Sequence, residues 1–248
     1  MESNDILSRI LYQNSACVVV NKITGEASQR SKSANDGIIS LPVLLKEKLN
    51  INFAEAAHRL DVPVTGCALF ALDREALAYL NSVFALVFSQ GDAEESRRRI
   101  EKIYWAVIEK PSFSLGGQGE LVHWIEENPR VNKSFAHNEE REGRKKAALR
   151  YRVTGEGVNY LFLEVNLISG RHHQIRSQLA ASGLHIKGDL KYGAKRGEKG
   201  GGIRLHARSL SFPNPLNKNE KIRVTADPPR MDNLWEDFIS AYETAINL

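Results

Sequence analysis

Residues 167–180 read Leu-Ile-Ser-Gly-Arg-His-His-Gln-Ile-Arg-Ser-Gln-Leu-Ala, a stretch in which a predicted strand runs into a predicted helix through a polar turn. We predict that the strand ends at Ser169-Gly170 and that the helix stops at Gly183. The Arg-His-His triplet after the turn would then occupy the first helical turn, where the helix dipole disfavours positive charge. A bound phosphate would relieve this conflict, because backbone N–H groups and cationic side chains would converge on one anion.

Positive charge is concentrated around this stretch. Residues 170–208 hold nine Lys and Arg but two acidic residues, a net of +7 in a chain whose total is +4, and they include four of the seven histidines. A solvated basic face is the commoner origin of such a run, but the polarised distribution favours anion binding. On the predicted helix, Arg176 lies beside the apolar stripe of Ile175 and Leu179, so it either reaches into a site or sits in a structural ion pair.

The apolar segments in the rest of the chain predict more strands than helices, without regular alternation between the two. The predicted strands are Cys17–Asn21, Gly66–Leu72, Ile103–Glu109, Leu149–Val153, Tyr160–Leu167, Ile203–Phe212 and Lys221–Ala226. Helices are predicted to begin after Asp73 and after Asp232, which can each accept a backbone hydrogen bond from the first turn. Ser112–Gly119 and Asn132–Lys146 are polar or glycine-rich and are predicted loops. This pattern predicts an α+β fold with a mixed, largely antiparallel sheet flanked by helices.

The composition is that of ordinary soluble proteins, with 248 residues, 42% of them apolar and 26% charged. Cys17 and Cys67 are far apart and lie in no CxxC or Cys/His pattern, so reduced thiols are favoured over a disulfide framework or a structural zinc site. No apolar run approaches the roughly 18 residues of a membrane span, and no signal pattern opens the chain. We therefore predict a cytoplasmic protein with no membrane partner.

A second polar cluster, Ala57-His-Arg-Leu-Asp61, precedes the apolar strand at Gly66–Leu72. If Asp61 is buried at the mouth of that strand it needs a cationic partner, and an arginine from another element is the natural one. An aspartate before a proline-containing turn is also ordinary turn chemistry. The cluster alone leaves both interpretations open.

Other kinds of catalytic site lack their sequence patterns. The histidines show no HExxH spacing, which would place two ligands on one helical face, so we predict no metal, and a metal-dependent hydrolase is the weakest alternative. The serines are accompanied by no GxSxG elbow. The run Gly197–Gly202 lacks the Lys-Ser/Thr and the helix that follow a phosphate loop, and is predicted to be a flexible loop.

Taken together, the clusters resemble the RluA-like family of RNA pseudouridine synthases from about residue 10 to about residue 212. The matching motifs are His58-Arg-Leu-Asp61 with Thr65-Gly66, Lys102-Ile-Tyr-Trp-Ala106, Gly170-Arg-His-His-Gln-Ile-Arg176, Gly188-Asp189 with Tyr192-Gly193, and Arg204-Leu-His-Ala207. Val64-Thr65-Gly66 replaces the usual Thr-Ser-Gly, and Asn21-Lys-Ile-Thr-Gly25 replaces the usual Asn-Lys-Pro-x-Gly. Neither departure removes a catalytic group, but both bear on the shape of the site and on its substrate.

The resemblance implies an enzyme that isomerises uridine to pseudouridine in ribosomal or transfer RNA, flipping the base out of its stack and using no cofactor. It implies that Asp61 is the essential catalytic residue, that Tyr104 stacks on the target base, and that Arg176 pairs with Asp61. Whether Asp61 attacks covalently or acts as a base stays open. The alternative is a non-catalytic RNA-binding protein that retains the fold, against which the three intact residues argue.

RNA contacts are predicted for basic and imidazole side chains in both clusters. The resemblance implies that Arg59 fills the space left by the flipped base, and the alternative for this residue is a plain phosphate contact. The predicted RNA-binding residues are Arg59, His58, Arg171, His172, His173, Lys187, Lys191, Lys195, Arg196 and Arg204.

We expect one catalytic domain over residues 1–248, with the motifs in a core at about 10–212 and a C-terminal strand and helix at 219–248. The chain starts almost directly at the Ile10-Leu-Tyr-Gln motif, so no separate N-terminal RNA-binding domain is expected. RNA is the expected partner, no obligate protein partner is indicated, and we expect a monomer.

Overall fold

The computed structural model describes residues 5–29, 38–86 and 99–246. Its strands are β1 (Ile10–Gln13), β2 (Cys17–Lys22), β3 (Glu26–Ala27), β4 (Ile39–Ser40), β5 (Glu55–Ala56), β6 (Thr65–Ala71), β7 (Glu101–Glu109), β8 (Gln118–Asn128), β9 (Lys133–His137), β10 (Lys145–Glu156), β11 (Tyr160–Leu167), β12 (Leu205–Pro213) and β13 (Lys221–Thr225). Its helices are α1 (Leu41–Leu49), α2 (Arg74–Ala85), α3 (Gln174–Ala181) and α4 (Asn233–Ile246), and short 3₁₀ turns lie at Leu7–Arg9 and Leu190–Tyr192.

The first of two compact units comprises residues 1–102 and 207–230. Its strands follow the order β1, β2, β6, β12 and β13, with the short β5 also beside β6. Strands β2 and β6 pair antiparallel and are buried over nearly their whole length, because they lie in the middle of the unit. Helix α2 packs Ala76 and Leu80 against this core. It begins as predicted at Asp73, whose Oδ1 accepts the N–H of Ala76 at 2.7 Å.

The second unit comprises residues 103–206 and 231–248. Its strands follow the order β7, β11, β10, β8 and β9, and each neighbouring pair is antiparallel. Helix α4 packs Trp235 and Phe238 against Trp105 and Phe162. Asp232 caps this helix as predicted, since its Oδ1 accepts the N–H of Trp235 at 3.2 Å.

The predicted α+β class and the largely antiparallel pairing are confirmed, and β11 has the predicted bounds. The prediction of a loop over Asn132–Lys146 is wrong, because this segment contains β9, paired with β8 from His137 opposite Trp124 to Lys133 opposite Asn128. Backbone pairing makes this strand, whose side chains alternate too weakly to signal it. A single domain over residues 1–248 stays a prediction.

The predicted start of α3 is also wrong, by three residues. His173 adopts a left-handed backbone conformation with φ of +51°, and the helix begins only at Gln174. The side chain of Gln174 stabilises the preceding turn, since its Oε1 accepts the N–H of Arg171 at 2.9 Å and the hydroxyl of Ser169 at 2.8 Å. The Arg-His-His triplet therefore precedes the helix instead of opposing its dipole. The helix ends at Ala181, just before Gly183, which has the positive φ of a helix stop.

Cys17 and Cys67 are free thiols in the core of the first unit. Burial raises the pKa of each thiol to about 12, and the charge of Asp73 adds to the effect at Cys17. Among the described residues, no helix is both long and apolar enough to cross a membrane.

Candidate active site

Asp61 lies in the first unit, on the loop that joins β5 to β6. Its carbonyl oxygen accepts the N–H of Val64 at 3.0 Å, which closes a tight turn, and the residue is partly exposed. The loop therefore presents a carboxylate next to the buried strand β6, where the sequence places it.

A buried lysine holds this loop through its main chain. Lys22, the last residue of β2, is fully buried, and its ammonium donates to the carbonyl oxygens of Ile23 at 3.0 Å, Val62 at 3.0 Å and Val64 at 2.6 Å. Two of these carbonyls closely follow Asp61 in the chain. The lysine thus fixes the backbone on one side of the carboxylate, and the carbonyl oxygen of Val62 also accepts the N–H of Gly25 at 3.1 Å.

A buried ion pair lies beside Lys22. Arg9 and Glu26 form a bidentate pair with N–O distances of 2.7 and 2.9 Å, and Glu26 also accepts the N–H of Ile23 at 3.0 Å. Burial lowers the pKa of Lys22 to about 7, while the charges of Glu26 and Asp61 oppose this shift and that of Arg9 adds to it. The sequence analysis assigned no role to these three charged residues, although Lys22 lies in the quoted stretch Asn21–Gly25. The available signal was a lysine at the end of an otherwise apolar strand.

Gly66 brings strand β6 close to β12. Its φ is +109°, and a Cβ atom here would lie 2.7 Å from the backbone nitrogen of Ala207 and closer still to its carbonyl oxygen. Only glycine fits such a position. The Thr65-Gly66 motif and the last residue of the Arg204-Leu-His-Ala207 motif are therefore neighbours in space.

The side chain of His58 makes its contacts with other residues of the first unit. Its Nε2 accepts the N–H of Leu69 at 3.2 Å, and its ring stacks on that of Phe84 with centroids 5.3 Å apart. Burial and the nearby charge of Lys102 lower the pKa of His58 to about 3, against a backbone hydrogen bond that raises it. The ring is therefore neutral at physiological pH, so it brings no positive charge to the RNA contact predicted for it. Arg59, the next residue, is exposed.

The other two predicted catalytic residues lie in the second unit. Tyr104 is buried on β7, opposite Val165 of β11. Arg176 is buried on α3, and its Nε and Nη2 donate to the two carboxylate oxygens of Asp189 at 2.7 and 2.8 Å. Of the two possibilities left open for Arg176, an ion pair is thus observed, with Asp189, which stands in one of the matching motifs but was not predicted to pair with Arg176. The pairing of Arg176 with Asp61 stays a prediction.

Two histidines predicted to contact RNA belong to a polar cluster of the second unit. The rings of His172 and His173 stack with centroids 3.8 Å apart. His172 Nδ1 lies 2.8 Å from the hydroxyl of Ser134, and His173 Nδ1 lies 3.0 Å from the hydroxyl of Tyr192. His173 is buried, whereas His172 is partly exposed. Both rings therefore have partners within the fold.

Two of the predicted RNA-binding cations are held in an ion-pair network. Glu198 pairs with Lys187 and with Arg204, the latter at 2.8 Å, and Arg204 donates to Asp232 at 2.9 Å. Burial alone would raise the pKa of Glu198, but the hydrogen bonds from Arg204 and Lys187 outweigh it and hold this pKa below its usual value. These two cations therefore stabilise the loop at 188–204 whether or not they contact RNA.

The remaining predicted cations are more accessible. Lys191, Lys195 and Arg196 are exposed, and Arg171 is partly exposed with its Nε 3.3 Å from the carbonyl oxygen of Lys146. Within residues 5–29, 38–86 and 99–246, no group of three or more His, Cys, Asp and Glu side chains is arranged to hold a metal ion.

Comparison with known protein families gives one match over much of the chain. A family model described as RNA pseudouridylate synthase matches residues 16–181. Ribosomal large subunit pseudouridine synthase C of Vibrio cholerae is 24% identical over 229 residues, covering 88% of this chain and 64% of that protein. Dual-specificity RNA pseudouridine synthase RluA of Pasteurella multocida is 28% identical over 228 residues, covering 88% of this chain and 92% of that protein. The chain thus spans less than two thirds of the Vibrio cholerae protein and nearly all of the other.

Two solved structures share the fold. Human RNA pseudouridylate synthase domain containing 1 superimposes with a TM-score of 0.69 at 21% identity, over 97% of this chain and 90% of that one. Human RNA pseudouridylate synthase domain containing 4 superimposes with a TM-score of 0.67 at 20% identity, over 96% of this chain and 94% of that one.

Proposed function

The chain belongs to the RNA pseudouridylate synthase family, and from this we propose that it isomerises uridine to pseudouridine in ribosomal or transfer RNA. The observation that carries the proposal is the Asp61 loop. It presents a partly exposed carboxylate on a main chain that Lys22 and Gly66 hold in place. A catalytic group on a fixed backbone keeps its geometry while the substrate changes.

Asp61 is the proposed catalytic residue. The reaction breaks the bond between uracil N1 and the C1′ of the sugar, and it joins the same C1′ to C5 of the same base, so it consumes no oxidant or reductant. The proton on C5 is exchanged for one on N1. In this reaction a carboxylate can act as a nucleophile that attacks the sugar or the uracil ring, or as a proton acceptor that forms a glycal. Both roles place the carboxylate at the same position.

Tyr104 and Arg176 are the proposed partners of Asp61 in the reaction. The target uridine has to leave its stack, which costs a few kcal/mol and less in loops and bulges. Tyr104 then stacks on the flipped base, and Arg176 pairs with the Asp61 carboxylate. The bidentate bond from Arg176 to Asp189 supports this role, since it fixes the plane of the guanidinium.

Phosphate contacts are assigned to the exposed cations Lys191, Lys195, Arg196 and Arg59. Counterion release on neutralising phosphates offsets the energy of base flipping, and it makes the affinity depend on salt. RNA contacts are also proposed for His58, His172 and His173. At His58 the contact rests on shape and hydrogen bonding and not on charge, because its ring is neutral.

We also assign the chain to the cytoplasm and to a monomeric state with RNA as its partner. Light scattering of the purified protein with and without RNA tests the monomer, since a mass of twice 27.8 kDa for the free protein would contradict it.

The experiment that tests the function is pseudouridine mapping of ribosomal and transfer RNA from cells that lack this protein. Complementation uses either the wild-type chain or Asp61→Ala. We expect one or a few sites to be lost and to be restored by the wild type alone. Purified protein is then incubated with unmodified transcripts of the same RNAs. RNA that binds wild type and Asp61→Ala equally but is modified by neither would favour the non-catalytic alternative.

A further inference from the structure

The hydroxyl of Tyr192 joins two separate segments of the second unit. It accepts the N–H of Ser134 at 2.9 Å and donates to the carbonyl oxygen of Ser134 at 3.1 Å. Its third contact is the Nδ1 of His173 at 3.0 Å. Because the single hydroxyl proton is used on Ser134, this geometry makes the imidazole the donor at Nδ1. One oxygen atom thus makes three hydrogen bonds in a buried position.

These bonds close the free side of an edge strand. Strand β9 lies at the end of the strand order and, within the described residues, pairs with β8 alone, with Ser134 opposite Glu127. In an antiparallel ladder the N–H and C=O of one residue point to the same side, so at Ser134 both face away from β8. Ser134 is 1% exposed, which leaves little access for water to satisfy these groups. The Tyr192 hydroxyl takes the place that a further strand would occupy.

The Tyr192 ring lies against Arg176. The ring centre is 4.9 Å from the guanidinium carbon of Arg176 and 5.0 Å from the ammonium of Lys133. Asp189 holds the same guanidinium in its plane, and the carbonyl oxygen of Asp189 accepts the N–H of Tyr192 at 3.0 Å. One short turn therefore supplies both the carboxylate at the edge of the guanidinium and the ring next to it.

We propose that Tyr192 is a positioning residue whose hydroxyl latches the β8–β9 hairpin to the start of α3 and thereby fixes the orientation of Arg176. The hydroxyl bonds set where the ring lies, and the ring with Asp189 sets where the guanidinium points. A hairpin that detaches releases the ring and loosens Arg176. The inference rests on the proposed function, in which Arg176 acts in the reaction.

The test is Tyr192→Phe, which removes one oxygen and keeps the ring beside both cations. Amide hydrogen exchange at residue 134 reports the latch, and kcat and KM for pseudouridine formation report the reaction. Tyr151→Phe is the matched control, because within the described residues the Tyr151 hydroxyl has no hydrogen bond. Ser134→Ala is a second control for exchange, since it removes the serine hydroxyl and leaves the backbone groups bound to Tyr192.

In Tyr192→Phe we expect residue 134 to exchange about tenfold faster or more, with wild-type exchange in both controls. We expect kcat to fall by about tenfold or more with KM within about threefold, because orientation and not binding is impaired. Unchanged exchange overturns the latch. Faster exchange with kcat within about twofold of wild type overturns the positioning role. An equal rise at Leu163, in the middle of the sheet, shows a general loss of stability and overturns both.

The two proposals fail in different ways. If the wild-type protein forms no pseudouridine in ribosomal or transfer RNA, the proposed function and the reaction part of this inference fall together. The exchange result does not depend on RNA, and it decides on its own whether the hydroxyl is a latch.

Discussion

The predicted site residues of the two units are held in different ways. In the first unit, the loop that carries Asp61 is fixed through its main chain, by the ammonium of Lys22 and by the close approach at Gly66. In the second unit, Arg176 is fixed through side chains, by the carboxylate of Asp189 and the ring of Tyr192. The main-chain support acts on carbonyl groups and backbone atoms of the loop, whereas the side-chain network uses the charged groups themselves.

The largest effect is expected from Asp61→Asn, which tests whether the carboxylate on the first-unit loop takes part in the reaction and contributes little to RNA affinity. We expect turnover to be abolished while RNA affinity stays within about tenfold, roughly 1.4 kcal/mol. Turnover and affinity are measured on the same transcript. Asp73→Asn is the control, because asparagine also caps a helix and this exposed residue lies outside the loop. Turnover near wild type in Asp61→Asn would remove this residue from the mechanism.

The main-chain support itself is tested at two glycines. Gly66→Ala combines a left-handed φ with contact against the backbone of Ala207, and we expect a loss of about 3 kcal/mol or more in the free energy of unfolding. Gly25→Ala has a similar φ of +89° but nothing within 4 Å of the added Cβ, so we expect about 1–2 kcal/mol. Urea denaturation measures both. Equal losses in the two variants would show that strain alone, and not the close approach of the strands, matters at Gly66.

Variants of His58 test a side-chain support in the first unit, with a smaller expected loss in the free energy of unfolding. His58→Leu leaves the N–H of buried Leu69 without its acceptor, and we expect a loss of about 1–3 kcal/mol. His58→Gln supplies an amide oxygen at similar reach, so we expect a smaller loss. If the two variants are equally destabilised, the hydrogen bond is not what the imidazole contributes.

The same residue predicts a dependence on pH. Because the pKa of His58 is lowered to about 3 in the folded protein, the unfolded chain binds a proton between about pH 6.5 and 3 that the folded protein does not. The contribution of His58 to stability is therefore complete above pH 6.5 and is lost as the pH falls through this window. We expect wild type to lose stability relative to His58→Gln as the pH falls from about 7 to about 4, until the variant is the more stable protein. A difference that stays constant would contradict the neutral ring.

The smallest effect, on RNA affinity, is expected from the exposed cations of the second unit, because each of them neutralises at most a phosphate or so of the RNA. Replacing Lys195 and Arg196 by glutamine is expected to weaken RNA binding and to reduce the salt slope by about 0.7 for each phosphate that is no longer neutralised. Lys48→Gln is the control, as an exposed lysine outside residues 170–208. Binding is measured across a salt series, and a slope equal to that of wild type would place the loop away from the RNA.

The sequence predicted the parts of the fold that depend on local patterns. The apolar runs of β2 and β6 are recognisable because both faces of these strands are buried, and β11 because one of its faces is buried along the whole strand. Asp73 and Asp232 cap their helices because capping needs only the next few residues. Strand β9 escaped prediction because its partners, β8 and the Tyr192 hydroxyl, are recognised only through tertiary pairing. The start of α3 was misplaced because the left-handed backbone of one histidine depends on tertiary contacts.

The candidate site was predictable to a similar degree. Asp61, Tyr104 and Arg176 stand in motifs, so their chemistry is visible in the sequence. The roles of their supports are not visible, because Lys22 acts on carbonyl groups 40 or more residues away, and the motif that contains Asp189 does not indicate that it pairs with Arg176. Nothing local in the sequence indicated that the cations Lys187 and Arg204 would be paired with Glu198.

The two buried thiols give the protein a practical property for fluorescence work. With a pKa of about 12, Cys17 and Cys67 are protonated near neutral pH and enclosed in the core, so they react slowly with maleimide dyes. The chain has no other cysteine. A cysteine introduced at exposed Asn138, just after β9, would therefore be labelled selectively in the otherwise native sequence. A dye at that point would follow the hairpin in real time as RNA is added.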